Sequence, residues 1–569
     1  MKMELNYRKI KPLDIESLAK QYSPTTEDQQ YNYNPFAVSQ IQAFNPLYTD
    51  FFVLNESNFN RVGLNNKNYL DVDRINGTSS SYHVKCSPLL DPIHYLVGKY
   101  DAYSPDLRVL PSLSNTTSTH FKIANKHNAS YVDGFFCYLS SQMLNRNNML
   151  NAIDFYGSFL AVQNQFKANI TDDVEYLHNS TYFMEHLGKD FSVSCGTGGM
   201  FDDFTGIGSR ANKKRLVLGT EDLSLDDYLL VDEITADASA SQEIPDSETP
   251  ICEYVKSDKD EESSEDDELN YSLSGSDNED ASSEDSGSED SDNEESLESG
   301  TEESVESDNS LEQEAFAYIK NFPANLIFLE KCHGTLDELF MKNEMDEHRG
   351  AACLMQIVMS LLAFQKAFQL THNDLHTNNV MYINTDIEFL YYKFDNQFYK
   401  VPTYGRLFKI IDFGRAIYRF KDKRYCSDSF APKGDANTQY NTEPYFNENK
   451  PRIEPNLSFD LCRLGTSIYD FIIQDEDAPR DMFQETIYRW CLDDNGKNVM
   501  YKRDGEERYP GFKLYKMIAK NVHGHFPQAQ LKYQFFSQFR VDPLDAAKLD
   551  ESEVRQNGLN IDSVEKEYM

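Results

Sequence analysis

His372-Asn373-Asp374-Leu375-His376-Thr377-Asn378-Asn379 and, 38 residues beyond its aspartate, Ile410-Ile411-Asp412-Phe413-Gly414 decide how this chain reads. The first segment follows Gly350–Leu370, a run apolar on most sides of a helix and therefore expected to be buried. It precedes NVMYI (379–383), which reads as a strand, and the second segment closes another strand-like run, LFKIIDF (407–413). Polar groups at the ends of buried elements are placed to do chemistry. Moving a phosphoryl group from a nucleotide needs a carboxylate to take the proton of the attacking hydroxyl, and Asp and Asn oxygens to hold Mg²⁺ on the phosphates. H-x-D-x-x-x-x-N followed by D-F-G supplies those groups in that order.

With these residues in view, the chain resembles the eukaryotic-type protein kinase superfamily, and within it the divergent serine/threonine kinases of large DNA viruses. The resemblance implies an α/β (α+β) bilobal fold with a β-rich small lobe and a mainly helical large lobe. It makes Asp374 the catalytic base and Asn379 and Asp412 the Mg²⁺ ligands, with ATP as phosphoryl donor. The gap between the two aspartates is roughly twice the family's usual one, and the excess, Thr385–Tyr404, reads as an extended hairpin with Asp395-Asn396 at its tip.

Other parts follow from where such a fold places them. Lys85 ends a strand-like run, SSYHVKC (80–86), after an Asn76-Gly77 hairpin signal, as the family's ATP-orienting lysine does. Its acidic partner is expected on the next helix, 131–145, where Asp133 is the one carboxylate available. The family's G-x-G-x-x-G is reduced to Val62-Gly63-Leu64-Asn65-Asn66, so Val62 and Gly63 are the candidates for covering phosphate. Gly196-Thr197-Gly198-Gly199 reads as an insert loop. Leu329-Glu330-Lys331-Cys332-His333-Gly334 matches the hinge, with adenine bonding to the main chain at Glu330 and Cys332. Asp460-Leu461-Cys462-Arg463-Leu464-Gly465 resembles D-x-W-x-x-G, where Asp460 would buttress the catalytic loop.

Two substitutions in that loop carry expectations. Asn373 stands where the family has the arginine that pairs with an activation-segment phosphate, so activity should not require such phosphorylation. His376 stands where a lysine near the γ-phosphate is usual, and a neutral imidazole lacks a fixed charge, so transition-state stabilisation should be weaker and pH-dependent near neutrality. HNDLHTNN also fits small-molecule phosphotransferases of the aminoglycoside and choline kinase type. A catalytically weak pseudokinase scaffold is the third reading. Asp-Phe-Gly, the Asp460 helix and the long 415–443 segment favour a protein kinase acting on Ser/Thr hydroxyls.

Composition bounds the rest. In 569 residues, 40% are apolar and 13% aromatic, ample for a large core, which excludes a fully disordered chain. The 54 Lys+Arg against 94 Asp+Glu, net −40, argue against direct nucleic-acid binding. Glu261–Ser310 holds 21 of those acidic residues and no base, so about half the net charge belongs to one tract. That tract is expected to be disordered, and its serines with an acidic residue three positions on (Ser263, Ser276, Ser291) suit acidophilic kinases and basic partners. The nine cysteines are scattered without a C-x-x-C pair, which fits a reducing, cytoplasmic compartment. For a viral protein that would be host cytoplasm, a viral factory or the virion. No membrane span is expected, because the best apolar stretch, Ala351–Phe364, is short and carries Gln356 and Ser360.

The organisation expected is an N-terminal extension (1–47), a small lobe (48–162) with strands at FFVL (51–54), YLDVDRI (69–75) and 152–162, and an insert (163–320) containing the acidic tract 257–312. The last small-lobe strand and hinge (321–332), a catalytic lobe (333–545) and a polar tail (546–569) follow.

Overall fold

Leu326-Ile327-Phe328-Leu329 is apolar at consecutive positions, and a strand keeps such a run only if both of its faces are covered. In the computed structural model of the chain it lies at the centre of an antiparallel sheet. The structure describes residues 13–64, 82–113, 118–195, 314–473, 479–502, 505–549 and 551–568, with Met3, Leu5 and Tyr7–Lys9 before them. All of these fall in one unit of the chain, Met1–Leu225 with Leu311–Met569.

The first seven strands are β1 (Tyr7–Lys9), β2 (Val38–Gln42), β3 (Val62–Leu64), β4 (Tyr82–Pro88), β5 (Phe155–Asn169), β6 (Phe191–Cys195) and β7 (Ala315–Glu330). The main sheet runs β2-β5-β7-β4, with β6 also on β7. β5 follows β7 along most of its length, whereas β6 pairs with the first part of β7 (Cys195 opposite Ala315) and β4 with the last (Lys85 opposite Ile327).

Side chains alternate across this sheet, as strand geometry requires. Leu326 and Phe328, with Phe159 and Ala161, face a cluster made with Leu18, Phe36 and Ala43. Ile327 and Leu329 face the main core, which holds Phe135, Phe136 and Leu139 of a long helix, α2 (Ala129–Asn147). Leu18 belongs to α1 (Ile15–Gln21), whose N-terminus is capped by Asp14 accepting from the Ser17 N–H. Residues 1–47 are therefore not an extension. They contribute the edge strand β2 and cover one face of the sheet. At about 1.5–3 kcal/mol for each fully buried large apolar side chain, Leu18 and Phe36 alone make this cover a substantial part of the sheet's stability.

Other boundaries also move. FFVL (51–54) forms no strand. It follows a 3₁₀ turn, Pro46–Asp50, and Phe51 stacks on Phe135 with ring centroids 5.1 Å apart, so that ring serves packing while Val53 is exposed. The strand placed at 152–162 continues as β5 to Asn169, and that placed within 321–332 begins at Ala315, so ordered sheet extends into the region read as insert. The runs 69–75 and 76–77, the glycines 196–199 and the acidic tract lie outside the described residues.

The second half is richer in helix. It contains β8 (Gly334–Thr335), α3 (Glu347–Phe368), β9 (Val380–Asn384), β10 (Phe389–Phe394), β11 (Gln397–Pro402), β12 (Arg406–Ile410), β13 (Ile417–Phe420), β14 (Lys423–Cys426), α4 (Phe459–Ile472), α5 (Lys513–Asn521) and β15 (Gly558–Asn560). α3 starts at Asp346, which accepts from the Arg349 N–H, and stops at Gln369 in the left-handed region (φ 50°). Among the described residues it is the one helix long and apolar enough to cross a membrane, and its central window is 94% buried inside the protein, as a core helix is. β10 and β11 form the hairpin expected at 385–404. Asp395 and Asn396 at its tip both have positive φ (52° and 57°), as a two-residue type I′ turn demands. The polar tail is anchored too: β15 pairs in parallel with β10, and Leu559, Ile561 and Val564 are buried. α4 can approach the helix Met482–Trp490 because Gly465 has no side chain; a Cβ there would lie 2.9 Å from the Trp490 Cβ. The class is mixed α and β, with antiparallel sheets and helices in the α+β manner.

Candidate active site

Strand alternation sends Val84 and Cys86 toward the Leu18–Phe36 cluster and leaves Lys85 on the α2 side. There its Nζ is 2.7 Å from Asp133 Oδ2 and 2.8 Å from Asp412 Oδ1. Asp133 is 1% exposed. Its other oxygen accepts from the Phe413 N–H at 2.9 Å, so one carboxylate ties the sheet lysine to the backbone of the Asp-Phe-Gly turn. Burial would lower the Lys85 ammonium, but Asp133 and then Asp412 hold it well above the usual lysine value. Burial would raise the Asp412 carboxyl; Lys85 overrides this and holds it down at about 2. Asp412 has φ 62°, a left-handed conformation, and the Phe413 ring is fully buried 4.4 Å from Phe136, which keeps that turn in place.

The segment 372–379 is fixed from below. Asp460, fully buried on α4, accepts from the His372 N–H and the Asn373 N–H, both at 2.9 Å. The Ile411 N–H donates to the Asn379 carbonyl (3.0 Å), and His372 Nε2 meets the Ile411 carbonyl (2.8 Å), so the loop and the strand leading to Asp412 move as one piece. Replacing Asp460 by Ala orphans two buried N–H groups. We expect a loss of about 3 kcal/mol in chemical denaturation, and retention of wild-type stability would show that the loop is held by other means.

Asp374 receives a hydrogen bond from the Tyr515 hydroxyl on Oδ1 (2.8 Å), and Arg415 Nη1 lies 3.6 Å from Oδ2. Burial pushes its carboxyl up, but the Arg415 and then the Arg463 guanidinium hold it below the usual carboxylate range, so it stays ionised and ready to accept a proton. Asn379 Nδ2 donates to the Asp374 carbonyl (2.9 Å) and to His376 Nε2 (3.0 Å). Burial lowers the His376 imidazole to about 4. At that value the His376 imidazole is neutral in the neutral range.

The hinge residues are also placed. Leu329 is buried, and the Glu330 N–H is committed to the Asp154 carbonyl (3.0 Å). The Glu330 carboxylate takes Lys409 Nζ (2.6 Å), whose side chain is 2% exposed, and the Asp154 N–H (2.8 Å). That ion pair joins the end of β7 to β12, three residues ahead of Asp412. Cys332 is half-buried beyond it. Val62 and Gly63 lie in the β1–β3 ladder, with Gly63 opposite Arg8, so they are paired strand and not loop, and Asn65-Asn66, the rest of the stretch expected over phosphate, lie outside the described residues.

Asn379 Oδ1 and Asp412 Oδ2 carry no bond among the described residues, while their neighbouring atoms are all engaged. Two hard oxygens suit Mg²⁺, which keeps several waters and binds through one or two protein ligands plus phosphate oxygens. No group of three or more His, Cys, Asp or Glu poised for a metal occurs among the described residues, so a dedicated protein cage of that kind is not what these two oxygens belong to. Sequence reasoning missed Arg415, Arg463, Lys409 and Tyr515. Only Arg415 had a local signal, its position directly after Asp-Phe-Gly; Tyr515 reaches Asp374 from 141 residues away.

No protein-family model matches the chain, and a search of the curated proteins returns no match.

Proposed function

We propose that the chain is a Mg-ATP-dependent protein kinase of the serine/threonine type, with a β-rich small lobe carrying Lys85 and Asp133 and a mainly helical large lobe carrying Asp374, Asn379 and Asp412. The observation that carries this reading is the bracketing of Lys85 Nζ between Asp133 and Asp412. A cation held there by two carboxylates from different elements can take the phosphates of a nucleotide and keep them beside Asp412. Adenine would lie against the main chain at Glu330 and Cys332. Mg²⁺, held by Asp412 and Asn379, would supply charge neutralisation on the phosphate oxygens. Asp374, ionised and aimed by Tyr515, takes the hydroxyl proton of the protein substrate. A reducing, cytoplasm-like compartment goes with this proposal, and Cys86, Cys137, Cys332, Cys353, Cys426, Cys462 and Cys491 are free thiols.

The test is transfer from labelled ATP to the protein itself, to acidic and basic protein acceptors, and to aminoglycosides and choline, with and without EDTA. Label on protein that EDTA abolishes supports the reading. Label on a small molecule alone replaces it with the small-molecule phosphotransferase. No transfer and no nucleotide binding replaces it with the scaffold.

The same reading includes independence from activation-segment phosphorylation. Asn373 Nδ2 donates to the Arg415 carbonyl (2.9 Å) and its Oδ1 accepts from the Tyr440 hydroxyl (2.7 Å), so neutral hydrogen bonds occupy the place of a phosphate clamp. Thr438→Ala and Thr438→Asp are each expected to leave the transfer rate within about threefold of wild type; a larger change in steady-state rate would reinstate phosphate control.

A further inference from the structure

Phosphoryl transfer spreads negative charge over the oxygens of the moving group, and a fixed cation beside the general base lowers that barrier. His376 does not supply one, because its Nε2 accepts from Asn379 Nδ2. Two arginines stand at Asp374 instead. Arg463 is spent on support: its Nε donates to the Tyr515 hydroxyl (2.9 Å), its Nη1 faces Thr466 Oγ1 (3.4 Å), and its guanidinium lies 5.1 Å from the Tyr515 ring. Arg415 is placed differently. Its carbonyl is pinned by Asn373, its guanidinium lies 5.6 Å from the other side group of the cluster, the Tyr515 ring, and its Nη1 is 3.6 Å from Asp374 Oδ2, longer than a formed hydrogen bond. Its Nη2 holds Asp435, which is 47% exposed, and its own side chain is 26% exposed. It is the cation that faces the base and is open to an incoming group.

Resting on the kinase reading, we propose that Arg415 is a catalytic residue that contacts the transferring phosphoryl group. As the hydroxyl oxygen of the substrate bonds to the γ-phosphorus, the bond from phosphorus to the bridging oxygen breaks and its electron pair leaves with ADP. The hydroxyl proton passes to Asp374. Arg415 Nη1, beside Asp374 Oδ2, meets the equatorial oxygens where charge accumulates. The sequence places the charge three residues after Asp412 rather than two after Asp374, and the fold brings it to the same centre.

The experiment compares wild type with Arg415→Ala, Arg415→Lys and the double variant Arg415→Ala/His376→Lys, measuring kcat, KM for ATP, binding of a fluorescent ATP analogue and melting temperature. Arg415→Ala is expected to lower kcat about 10²-fold with KM and nucleotide binding changed less than about threefold. Arg415→Lys and the added His376→Lys should each recover at least about tenfold, because each returns a cation to the reacting centre. A kcat for Arg415→Ala within about threefold of wild type overturns the proposal. So does a loss that neither lysine restores and that tracks a fallen melting temperature, which is the signature of a structural role. A wild-type protein that binds the analogue yet labels no acceptor overturns the kinase reading itself, and this inference with it.

Discussion

Asp374→Asn is expected to lower phosphate transfer about 10²–10⁴-fold, the range a positioned general base contributes, while leaving nucleotide affinity within a few-fold. The change is isosteric. Tyr515 can still donate to the remaining oxygen, Asp460 still holds the two N–H groups before it, and Asn379 still bonds the Asp374 carbonyl, so the loop keeps its shape. What is lost is the ionised carboxylate that the two nearby guanidinium groups maintain. Single-turnover transfer with both proteins, alongside binding of an ATP analogue, separates the outcomes. A mutant that transfers at the wild-type rate removes Asp374 from the role of base. A mutant that neither binds nor transfers has lost its fold instead.

Lys85→Met is the second large effect, and it has two parts. Transfer should fall about 10²–10³-fold, because a fixed donor at the phosphates is gone. Stability should also fall by about 3 kcal/mol, because Asp133 and Asp412 then face each other without a cation and Asp133 is almost fully buried. The sign of the pH dependence follows. With Lys85 removed, at least one of the two carboxyls acquires a folded-state pKa above its unfolded value. The stability this contributes is present at low pH and lost as pH rises through the raised pKa. The deficit of Lys85→Met against wild type should therefore be larger at pH 8 than at pH 5 in urea denaturation. Adding Asp133→Asn, which removes the charge but keeps an oxygen for the Phe413 N–H, should return part of the stability and none of the activity, and return of both would place the phosphate-holding role elsewhere.

The pieces that were legible in the sequence are those whose chemistry is local. The loop 372–379 and Asp412 stand in short motifs, and the 395–396 tip follows from two residues that tolerate positive φ. Asp133 could be singled out because it is the only carboxylate on its helix; its short arm reaches Lys85 because α2 lies directly on the sheet face from which Lys85 projects. What could not be read depended on partners far away in the chain. Val38–Gln42 has little strand character of its own and is a strand because β5 offers it an edge. The three residues of β15 are too few to show a period. The cover over the sheet did have a trace, since Leu326–Leu329 is apolar on both faces and so required a second layer, but nothing in that run says that residues 1–47 supply it. Tyr515 and Lys409 belong to no motif, Arg463 stands at an unspecified position of the Asp460 motif, and only the fold brings them to the centre. FFVL shows the converse error, an apolar run whose aromatics serve ring packing instead of strand pairing.

Cys195 and Ala315 are opposed residues in one ladder, a separation of about 5 Å for antiparallel partners. The chain between them leaves and returns at a single point, the place where an ordinary hairpin would turn. Closure entropy grows by only about 0.6 kcal/mol for each doubling of a flexible loop, so a joint between these two residues can be short or long at little cost to the ladder. Splicing Cys195 to Ala315 through Asn-Gly should give a shorter protein with the same transfer rate. The same point would equally admit a foreign domain, which makes this hairpin a ready socket for building sensors or tethers onto the sheet without touching Lys85, Asp374 or Asp412, the residues of the proposed site.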